Sequence, residues 1–338
     1  MQHEGEPQFI HAHQGIVKGV AFSPKERYVF CSGGTDGKVN VYNVLHGQHI
    51  MSTKIATPHV MRHINAVKFN ADGSRILSTT SKRLSVIDAE RGELISSYDN
   101  CAYAGKDRVP LASDPCNPNM AICGCTNGKG LITFDLRKQQ PAHFALNVHS
   151  SLIRDITYLD QSWPFCESPH GTVVSLSIDG VCKIRTIDDR ILHTFDVKHR
   201  SNCIAATPGL YSMSDRNGFD SVLLVGGDSL SGYIPGEHGK QSRLLSYGPN
   251  EKSIHKIKYT SNGHLLYAIS SGGIVKRYRR IGDTHQLLGK VYSHNDEILD
   301  MDISPNDEYI VTAARNGYIG LQCLGAPSKG WTGFMELA

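Results

Sequence analysis

The order of apolar and polar residues near the start of the chain predicts three short β-strands joined by two tight turns. An apolar run over 17–22 leads into the turn Ser23–Glu26, and a second apolar run covers 28–31. The glycine-rich turn Gly33–Gly37 then precedes the alternating segment Lys38–Tyr42. Short alternating runs separated by turns of this composition are typical of antiparallel hairpins. The opening segment therefore predicts a β-meander.

The same meander returns along the chain at intervals of about 40 to 50 residues, the period of propellers and solenoids. The copies from His63, His149 and His294 are clear, whereas the one after His199 is interrupted by a polar stretch over 208–220, which we interpret as an enlarged loop. No amphipathic helical pattern competes with the repeats, so an all-β fold is expected. We predict one domain over 1–338, with repeats starting near residues 13, 63, 107, 149, 199, 254 and 294.

The first repeat resembles the WD40 family of β-propellers, with Tyr42 and Asn43 standing where that family usually has Trp-Asp. The resemblance implies a single seven-bladed β-propeller with four-stranded antiparallel blades. Each blade has two apolar faces that only its neighbours can cover. The ring is expected to be closed by the N-terminal strand, over Gln8–His11, while Trp331–Leu337 adds a further strand or packs on the underside.

The resemblance further implies a buried hydrogen-bonded set in the first repeat, formed by His13, Ser32, Asp36 and Tyr42. A buried histidine or aspartate needs a partner, because losing water without gaining a hydrogen bond costs free energy. The later repeats keep this pattern only in part. We therefore expect a structural role for these four residues.

Composition narrows the classes of function. Hydrophobic residues make up 40% and charged residues 20% of the 338 residues, as in globular proteins with a large core. The formal net charge of +3 gives no strong signal for nucleic acid. No apolar run approaches the ~18 residues that span a bilayer, and the first residues do not resemble a secretory signal. Nine cysteines without a CxxC pair, and the absence of a glycosylation sequon, favour the cytoplasm or nucleus.

No pattern in the sequence predicts catalytic residues, a metal site or a cofactor. The histidines that open the repeats fall in different blades, so they are expected to be structural or exposed. Cys123 and Cys125 point to the same face of a strand, but two thiols without a second pair predict core packing. No nucleophile and base stand in a suitable arrangement, so the protein is not expected to be an enzyme.

The family resemblance implies that binding residues lie on the faces of the ring, beside the first apolar residue of each inner strand and ahead of the second turn. The predicted partner-binding face comprises Ile16, Lys18, Thr35, Asn65, Lys82, Thr126, Leu152, Arg154, Ser253, His255, Glu297, Leu299 and Arg315. Its basic members favour acidic or phosphorylated segments of other proteins. We predict a non-enzymatic scaffold for protein–protein interaction.

Two alternatives rest on short motifs. The segment Phe134–Arg137 resembles the W-D-x-R ending of propellers that dock onto the adaptor of a cullin-type ubiquitin ligase, which would make this chain a substrate receptor. The run Tyr278–Gly282 resembles the Arg-Arg-Gly motif of phosphoinositide-binding propellers, with Ile281 interrupting it. Arg137 is otherwise expected to be an ordinary exposed residue, and the second run an exposed strand end with solvated charges.

Overall fold

A computed structural model describes residues 6–45, 48–55, 63–80, 82–101, 110–159, 163, 171–208, 221–235, 242–249 and 252–325. Every regular element in these residues is a β-strand. Accordingly, nothing in the described chain forms a long apolar helix of the kind that crosses a membrane. The predicted repeat start near residue 107, nearly all of the loop over 208–220 and the segment Trp331–Leu337 lie outside these residues. The single domain over 1–338 and the cytoplasmic or nuclear location stay predictions.

The described residues contain twenty-eight strands, labelled β1 to β28 in chain order. The first fourteen are β1 (Gln8–His11), β2 (Val17–Phe22), β3 (Val29–Gly34), β4 (Lys38–Asn43), β5 (Gln48–Lys54), β6 (Ala66–Phe69), β7 (Arg75–Thr80), β8 (Arg83–Asp88), β9 (Leu94–Asp99), β10 (Leu111–Ser113), β11 (Met120–Gly124), β12 (Leu131–Asp135), β13 (His143–Ala145) and β14 (Ile153–Leu159). The other fourteen are β15 (Thr172–Ser177), β16 (Val181–Thr186), β17 (Ile191–Asp196), β18 (Ser201–Ala206), β19 (Leu223–Gly227), β20 (Ser229–Ile234), β21 (Arg243–Pro249), β22 (Ile254–Tyr259), β23 (Leu265–Ser270), β24 (Ile274–Ile281), β25 (Thr284–Ser293), β26 (Ile298–Ile303), β27 (Tyr309–Ala314) and β28 (Tyr318–Cys323).

These strands form seven four-stranded antiparallel sheets, the blades of a propeller. Blades 1 to 6 are β2–β5, β6–β9, β10–β13, β14–β17, β18–β21 and β22–β25. Blade 7 combines β26–β28 from the end of the chain with β1 on its outer edge. The register of the closing pair runs from Gln8 opposite Leu321 to His11 opposite Tyr318. The predicted fold class is confirmed, including closure of the ring by the N-terminal strand.

The first strand of each sheet is its innermost strand in blades 1 to 6, and β26 takes that place in blade 7. Inner strands contact one another in the order β2, β6, β10, β14, β18, β22 and β26, and β26 returns to β2. They therefore surround a central channel. We define the upper face as the side with the turns between the second and third strands of the blades, for which blade 7 is counted from β26. The lower face carries the turns between the first and second strands.

Apolar side chains fill the spaces between blades rather than one central core. Seven buried clusters are present in the described residues, and each joins two neighbouring blades. Where the ring closes, Val17 and Phe30 of blade 1 pack with Tyr309, Val311 and Leu321 of blade 7. Alternation along a strand sends side chains to both faces of its sheet. A blade alone would expose both faces, so burial favours closure of the whole ring.

A buried carboxylate also connects the blades at the closing interface. Asp302 of blade 7 accepts a hydrogen bond from the backbone N–H of Phe22 in blade 1 at 2.9 Å, and Lys258 Nζ lies 2.7 Å from its other oxygen. Burial by itself would raise the pKa of Asp302, but the ammonium groups of Lys258 and Lys68 hold that pKa below its ordinary value. The carboxylate therefore stays charged, and hydrogen bonds to a charged acceptor are stronger than neutral ones.

Candidate binding site on the upper face

A depression of about 510 Å³ opens at the upper mouth of the central channel, between residues of six blades. The described residues that line it are Ile16, Lys18, Thr35, His63, Arg154, Asn202, His255, Glu297, Leu299 and Arg315. Lys18, Arg154 and Arg315 bring positive charge from blades 1, 4 and 7, and Glu297 is the one carboxylate in this described lining. Even without counting its histidines, the described lining is therefore basic. We call it the upper-face depression.

A bulge in the inner strand brings one side chain from each of five blades to the upper-face depression. In blade 1 the pairing register shifts between Val17 and Gly19, so the Cα register of β2 against β3 skips one residue. The residues passed over in this way in blades 1, 4, 5, 6 and 7 are Lys18, Arg154, Asn202, His255 and Leu299. A bulge bends its strand and changes the direction of the extra side chain. All five of these residues line the upper-face depression.

Glu297 lies next to two nitrogen-bearing side chains of the lining. Arg315 donates from Nη1 to Oε2 of Glu297 at 3.3 Å, and His255 Nε2 lies 3.6 Å from Oε1. His255 is also fixed from its other nitrogen, because Nδ1 donates to the carbonyl oxygen of Ile298 at 3.2 Å. Glu297 thus offsets part of the charge of Arg315 and holds the wall between blades 6 and 7 in place.

Hydrogen bonds also fix other parts of the rim. The hydroxyl of Thr35 accepts from the backbone N–H of Ile16 at 3.0 Å. The amide of Asn202 donates to the Ser253 hydroxyl at 2.9 Å and to the carbonyl oxygen of Ile254 at 3.0 Å, which connects blade 5 to blade 6. A rim that is already ordered loses little conformational entropy when a ligand binds.

Below the upper-face depression the channel continues between charged side chains of the inner strands. Lys18 and Arg154 line this deeper part as well, together with Asp155, Lys256 and Asp300. Lys256 Nζ lies 2.9 Å from Oδ2 of Asp155, and Asp300 accepts a backbone N–H of blade 1 at 3.2 Å. The acids of the deeper part already have partners. An anionic group entering from above therefore meets Lys18 and Arg154 at the level where the two cavities join.

Eight of the thirteen residues predicted for the partner-binding face line the upper-face depression. They are Ile16, Lys18, Thr35, Arg154, His255, Glu297, Leu299 and Arg315. Asn65 lies deeper, in the channel. Lys82, Thr126, Leu152 and Ser253 are not part of the lining. The geometry gathers most of the predicted residues, and their role in binding a partner stays a prediction.

Two further lining residues, His63 and Asn202, are not among those that the sequence indicates. Asn202 follows Ser201, a buried polar residue, whereas Lys18 and Arg154 follow buried apolar residues. Because a serine replaces the apolar residue in blade 5, the sequence pattern does not identify Asn202 as the counterpart of Lys18 and Arg154. His63 precedes the inner strand of blade 2, and the sequence marks it only as the start of a repeat. Asn202 could have been predicted from its position directly after the first buried residue of an inner strand.

Blade 1 holds His13 between an acid and a hydroxyl group. Its Nδ1 donates to Oδ1 of Asp36 at 2.9 Å, and its Nε2 lies 2.8 Å from Oγ of Ser32. Burial lowers the pKa of His13 although Asp36 opposes this shift. The ring is therefore neutral at pH 7, and its Nε2 accepts the hydrogen bond from Ser32. Tyr42 joins the group through Asn40, whose amide donates to the tyrosine hydroxyl at 3.3 Å.

Two other histidines that open repeats have a similar local role in their own blades. Nε2 of His149 lies 2.8 Å from a buried serine hydroxyl, and Nε2 of His294 lies 2.7 Å from a buried threonine hydroxyl. Burial lowers the pKa of each to about 4. Within the described part of the chain no three His, Cys, Asp or Glu side chains form a group that could hold a metal ion. Cys123 and Cys125 pack in the apolar cluster between blades 2 and 3.

The arginines of the two short motifs lie away from the upper-face depression. Arg137 forms a two-pronged ion pair with Asp135, with bonds of 2.9 and 2.8 Å. In blade 6, Arg280 donates from Nε to the carbonyl oxygen of Gly282 at 2.9 Å, and Arg279 is exposed on β24. These contacts favour neither a ligase adaptor nor a lipid headgroup as ligand.

A protein-family model described as "WD domain, G-beta repeat" matches residues 5–43 and 285–321. The first stretch reaches the end of β4, and the second runs from β25 into β28. No curated protein matches the chain. The matched stretches include the strands that meet where the ring closes, and the remaining blades repeat the same four-stranded topology. Together, the two matched stretches and the seven-bladed architecture support a WD40-repeat propeller.

Proposed function

We propose that this protein is a non-enzymatic scaffold that binds an acidic or phosphorylated segment of another protein in the upper-face depression. WD40 propellers generally act as scaffolds for protein interaction rather than as enzymes. The observation that supports an anionic ligand is the lining, in which Lys18, Arg154 and Arg315 outnumber Glu297, the one carboxylate among the described lining residues.

The chemistry of these bases suits a carboxylate or a phosphoryl group. An arginine guanidinium can bond two oxygens of such a group at once, whereas a lysine ammonium acts as a compact charge. Because the three bases come from different blades, they surround the ligand instead of contacting it from one side. Positive potential at the mouth of the channel also speeds the encounter with an acidic partner.

The size of the upper-face depression favours an extended segment over a folded domain as the part that enters. A volume of about 510 Å³ holds a few side chains. Ile16 and Leu299 give the lining an apolar part, against which an aliphatic neighbour of the anionic residue can pack. The ligand we propose is therefore a short segment with at least one acidic or phosphorylated residue beside an apolar one.

The test is a double charge reversal, Arg154→Glu with Arg315→Glu, followed by affinity purification and quantitative mass spectrometry. The matched control is Lys82→Glu with Lys290→Glu, which changes the net charge equally at exposed sites outside the lining. We expect the first variant to lose specific partners that the control retains, while thermal melting shows both to be folded. Retention of the whole set of partners by Arg154→Glu with Arg315→Glu would contradict the proposal.

The contribution of phosphate can be separated from that of carboxylates. Peptides from a recovered partner are synthesised with and without phosphate and titrated at low and high salt. Screening weakens exposed charge–charge interactions, so affinity should fall as salt rises. Binding that is indifferent both to salt and to the two charge reversals would count against an anionic ligand.

A further inference from the structure

A second cavity, of about 550 Å³, lies between blades 3 and 4 on the lower face. Blade 3 contributes Asp114, in the turn between β10 and β11, and blade 4 contributes Tyr158 of β14 together with Gly171 just before β15. Met120 and Leu159 belong to its apolar wall. We call it the interblade cavity.

Two oxygen atoms of the interblade cavity have no hydrogen-bond partner among the described residues. The hydroxyl oxygen of Tyr158 is shielded from solvent and unbonded there. Asp114 is only 8% exposed, and its Oδ1 accepts from the backbone N–H groups of Cys116 and Asn117 at 2.8 and 3.2 Å, while Oδ2 accepts no bond from the described chain. Buried polar atoms in folded proteins are rarely left unpaired, so the buried hydroxyl of Tyr158 calls for an explanation.

Both side chains lie around the same empty point. A Cβ atom added to Gly171 would stand 3.8 Å from Oδ2 of Asp114, 4.0 Å from Cδ1 of Tyr158 and 3.5 Å from Cδ1 of Ile187. Gly171 has φ of +87°, a conformation that favours glycine. Because glycine has no side chain, the space beside its Cα atom stays open. The carboxylate, the tyrosine ring and an apolar side chain thus converge where the backbone leaves room.

The charge of the interblade cavity is opposite to that of the upper-face depression. Asp114 and Asp188 are carboxylates, and the described lining holds neither lysine nor arginine. His143 is the basic side chain in the lining, and its Nε2 lies 3.6 Å from a carboxylate oxygen of Asp189. Burial raises the pKa of Tyr158, so its hydroxyl keeps its proton at neutral pH. The cavity therefore favours a cationic ligand with several hydrogen-bond donors.

We infer that the interblade cavity binds the side chain of an arginine from a partner protein. A planar guanidinium carries five N–H donors, enough to bond the Asp114 carboxylate and still offer a donor to the hydroxyl oxygen of Tyr158 in the same lining. Its aliphatic stem would pack against the apolar wall, as long basic side chains do when only their charged end needs polar contacts. This site is independent of the upper-face depression and does not rest on the function proposed for it.

The experiment uses the full chain and two blocked tripeptides, Ala-Arg-Ala and its citrulline counterpart, in which the guanidinium is replaced by a neutral urea of the same shape. Saturation-transfer NMR at millimolar peptide detects weak binding. We expect signal from the arginine peptide only, with an affinity that Asp114→Asn lowers about tenfold and Tyr158→Phe about threefold. Asparagine keeps an oxygen for the turn, and phenylalanine removes a hydroxyl that is unbonded in the described chain, so both variants should fold.

Asp88→Asn is the matched control, because Asp88 accepts two backbone N–H groups in a similar turn of blade 2, at 2.9 and 2.8 Å. It should leave binding of the arginine peptide unchanged. Equal signals from the arginine and citrulline peptides, or an unchanged affinity in Asp114→Asn, would overturn the inference. Stronger binding of free arginine than of the blocked peptide would overturn its assignment to a protein partner.

Discussion

Blades 1 and 4 are built on the same plan. In each, a histidine stands four residues ahead of a buried apolar residue that begins the inner strand, His13 before Val17 and His149 before Ile153. In each, Nε2 of the histidine lies 2.8 Å from a buried serine hydroxyl. The residue after the apolar one is a bulged base that lines the upper-face depression. Strand packing and register are thus common to both blades.

The two blades differ in the groups around the histidine. In blade 1, Asp36 accepts from the ring, whereas in blade 4 the acid of the corresponding turn, Asp179, bonds to Ser177 instead. Blade 4 also places Arg185, 3% exposed, where blade 1 has a tyrosine, and this arginine pairs with Asp189. Inter-blade packing therefore defines a blade, while its buried polar residues can be exchanged. The difference also means that the two blades should respond differently to charge and pH.

The largest expected difference between the two blades is in how much each makes the stability of the protein depend on pH below 6.5. Burial lowers the pKa of His149 to about 4, and it lowers that of His13 too, but there Asp36 opposes the shift. A histidine in the unfolded chain titrates near 6.5, so between pH 6.5 and 4 the unfolded state binds a proton that the native state does not. The free energy of unfolding therefore falls as pH drops through this window, by about 3 kcal/mol from His149 alone. Urea denaturation at stepped pH measures the fall.

Replacing either histidine by glutamine distinguishes the contribution of blade 1 to the pH dependence from that of blade 4. His149→Gln should flatten the dependence on pH between 6.5 and 4 more than His13→Gln does, because it removes the more strongly shifted group. Each variant is compared by slope rather than by absolute stability, since both substitutions also cost hydrogen bonds. Equal flattening by the two substitutions would show that Asp36 does not distinguish blade 1 from blade 4.

A smaller effect is expected from the ion pair of blade 4. Asp189 has φ of +83°, which asparagine tolerates, so Asp189→Asn removes the charge without changing the backbone. The change leaves Arg185 buried with its partner neutralised and should cost about 2 kcal/mol of unfolding free energy, since Asp189 itself is partly exposed. The same substitution in blade 1, Asp36→Asn, should cost about 1 kcal/mol, because the neutral ring of His13 can still donate to the amide oxygen.

The double variant Arg185→Leu with Asp189→Asn distinguishes a charge effect from a packing effect. Removing both charges from a buried pair is often nearly neutral. Urea titration of the single and double variants should therefore show recovery in the double variant. If the double variant is less stable than Asp189→Asn alone, the packing of the Arg185 stem matters more than its charge.

The sequence is sufficient to predict the blades, because a strand buried on both faces between tight turns leaves a clear pattern. Tyr42 and Arg185 mark the same position in their blades although neither is tryptophan, since spacing from the turns locates them. The weak fifth repeat still forms a full sheet, β18–β21, around buried residues such as Leu224 and Val225. The period of the apolar residues therefore carries more information than any single motif.

Which residues line the upper-face depression depends on the three-dimensional arrangement of the inner strands, and the sequence predicts that arrangement only in part. Lys18 and Arg154 follow an apolar residue, so the rule drawn from the family finds them. Asn202 follows a buried serine, so that rule does not identify it. Lys82 stands ahead of the second turn of its repeat, as the same family pattern requires, but it does not line the upper-face depression. The width of the channel mouth and the bulges arise from contacts among all the inner strands. The residue pattern of a single repeat therefore cannot predict those contacts.

The smallest expected effect on stability comes from the bulged bases themselves. Lys18→Ala and Arg154→Ala shorten half-buried side chains at bulge positions, so each should lower the free energy of unfolding by less than the loss of a fully buried apolar side chain does. Val17→Ala, one residue earlier, empties space at a fully buried position and should cost about 2 kcal/mol. Urea denaturation of the three variants makes the comparison. If either base costs as much as Val17, then that base supports the ring, and a loss of partner binding on its replacement could no longer be read as loss of a contact.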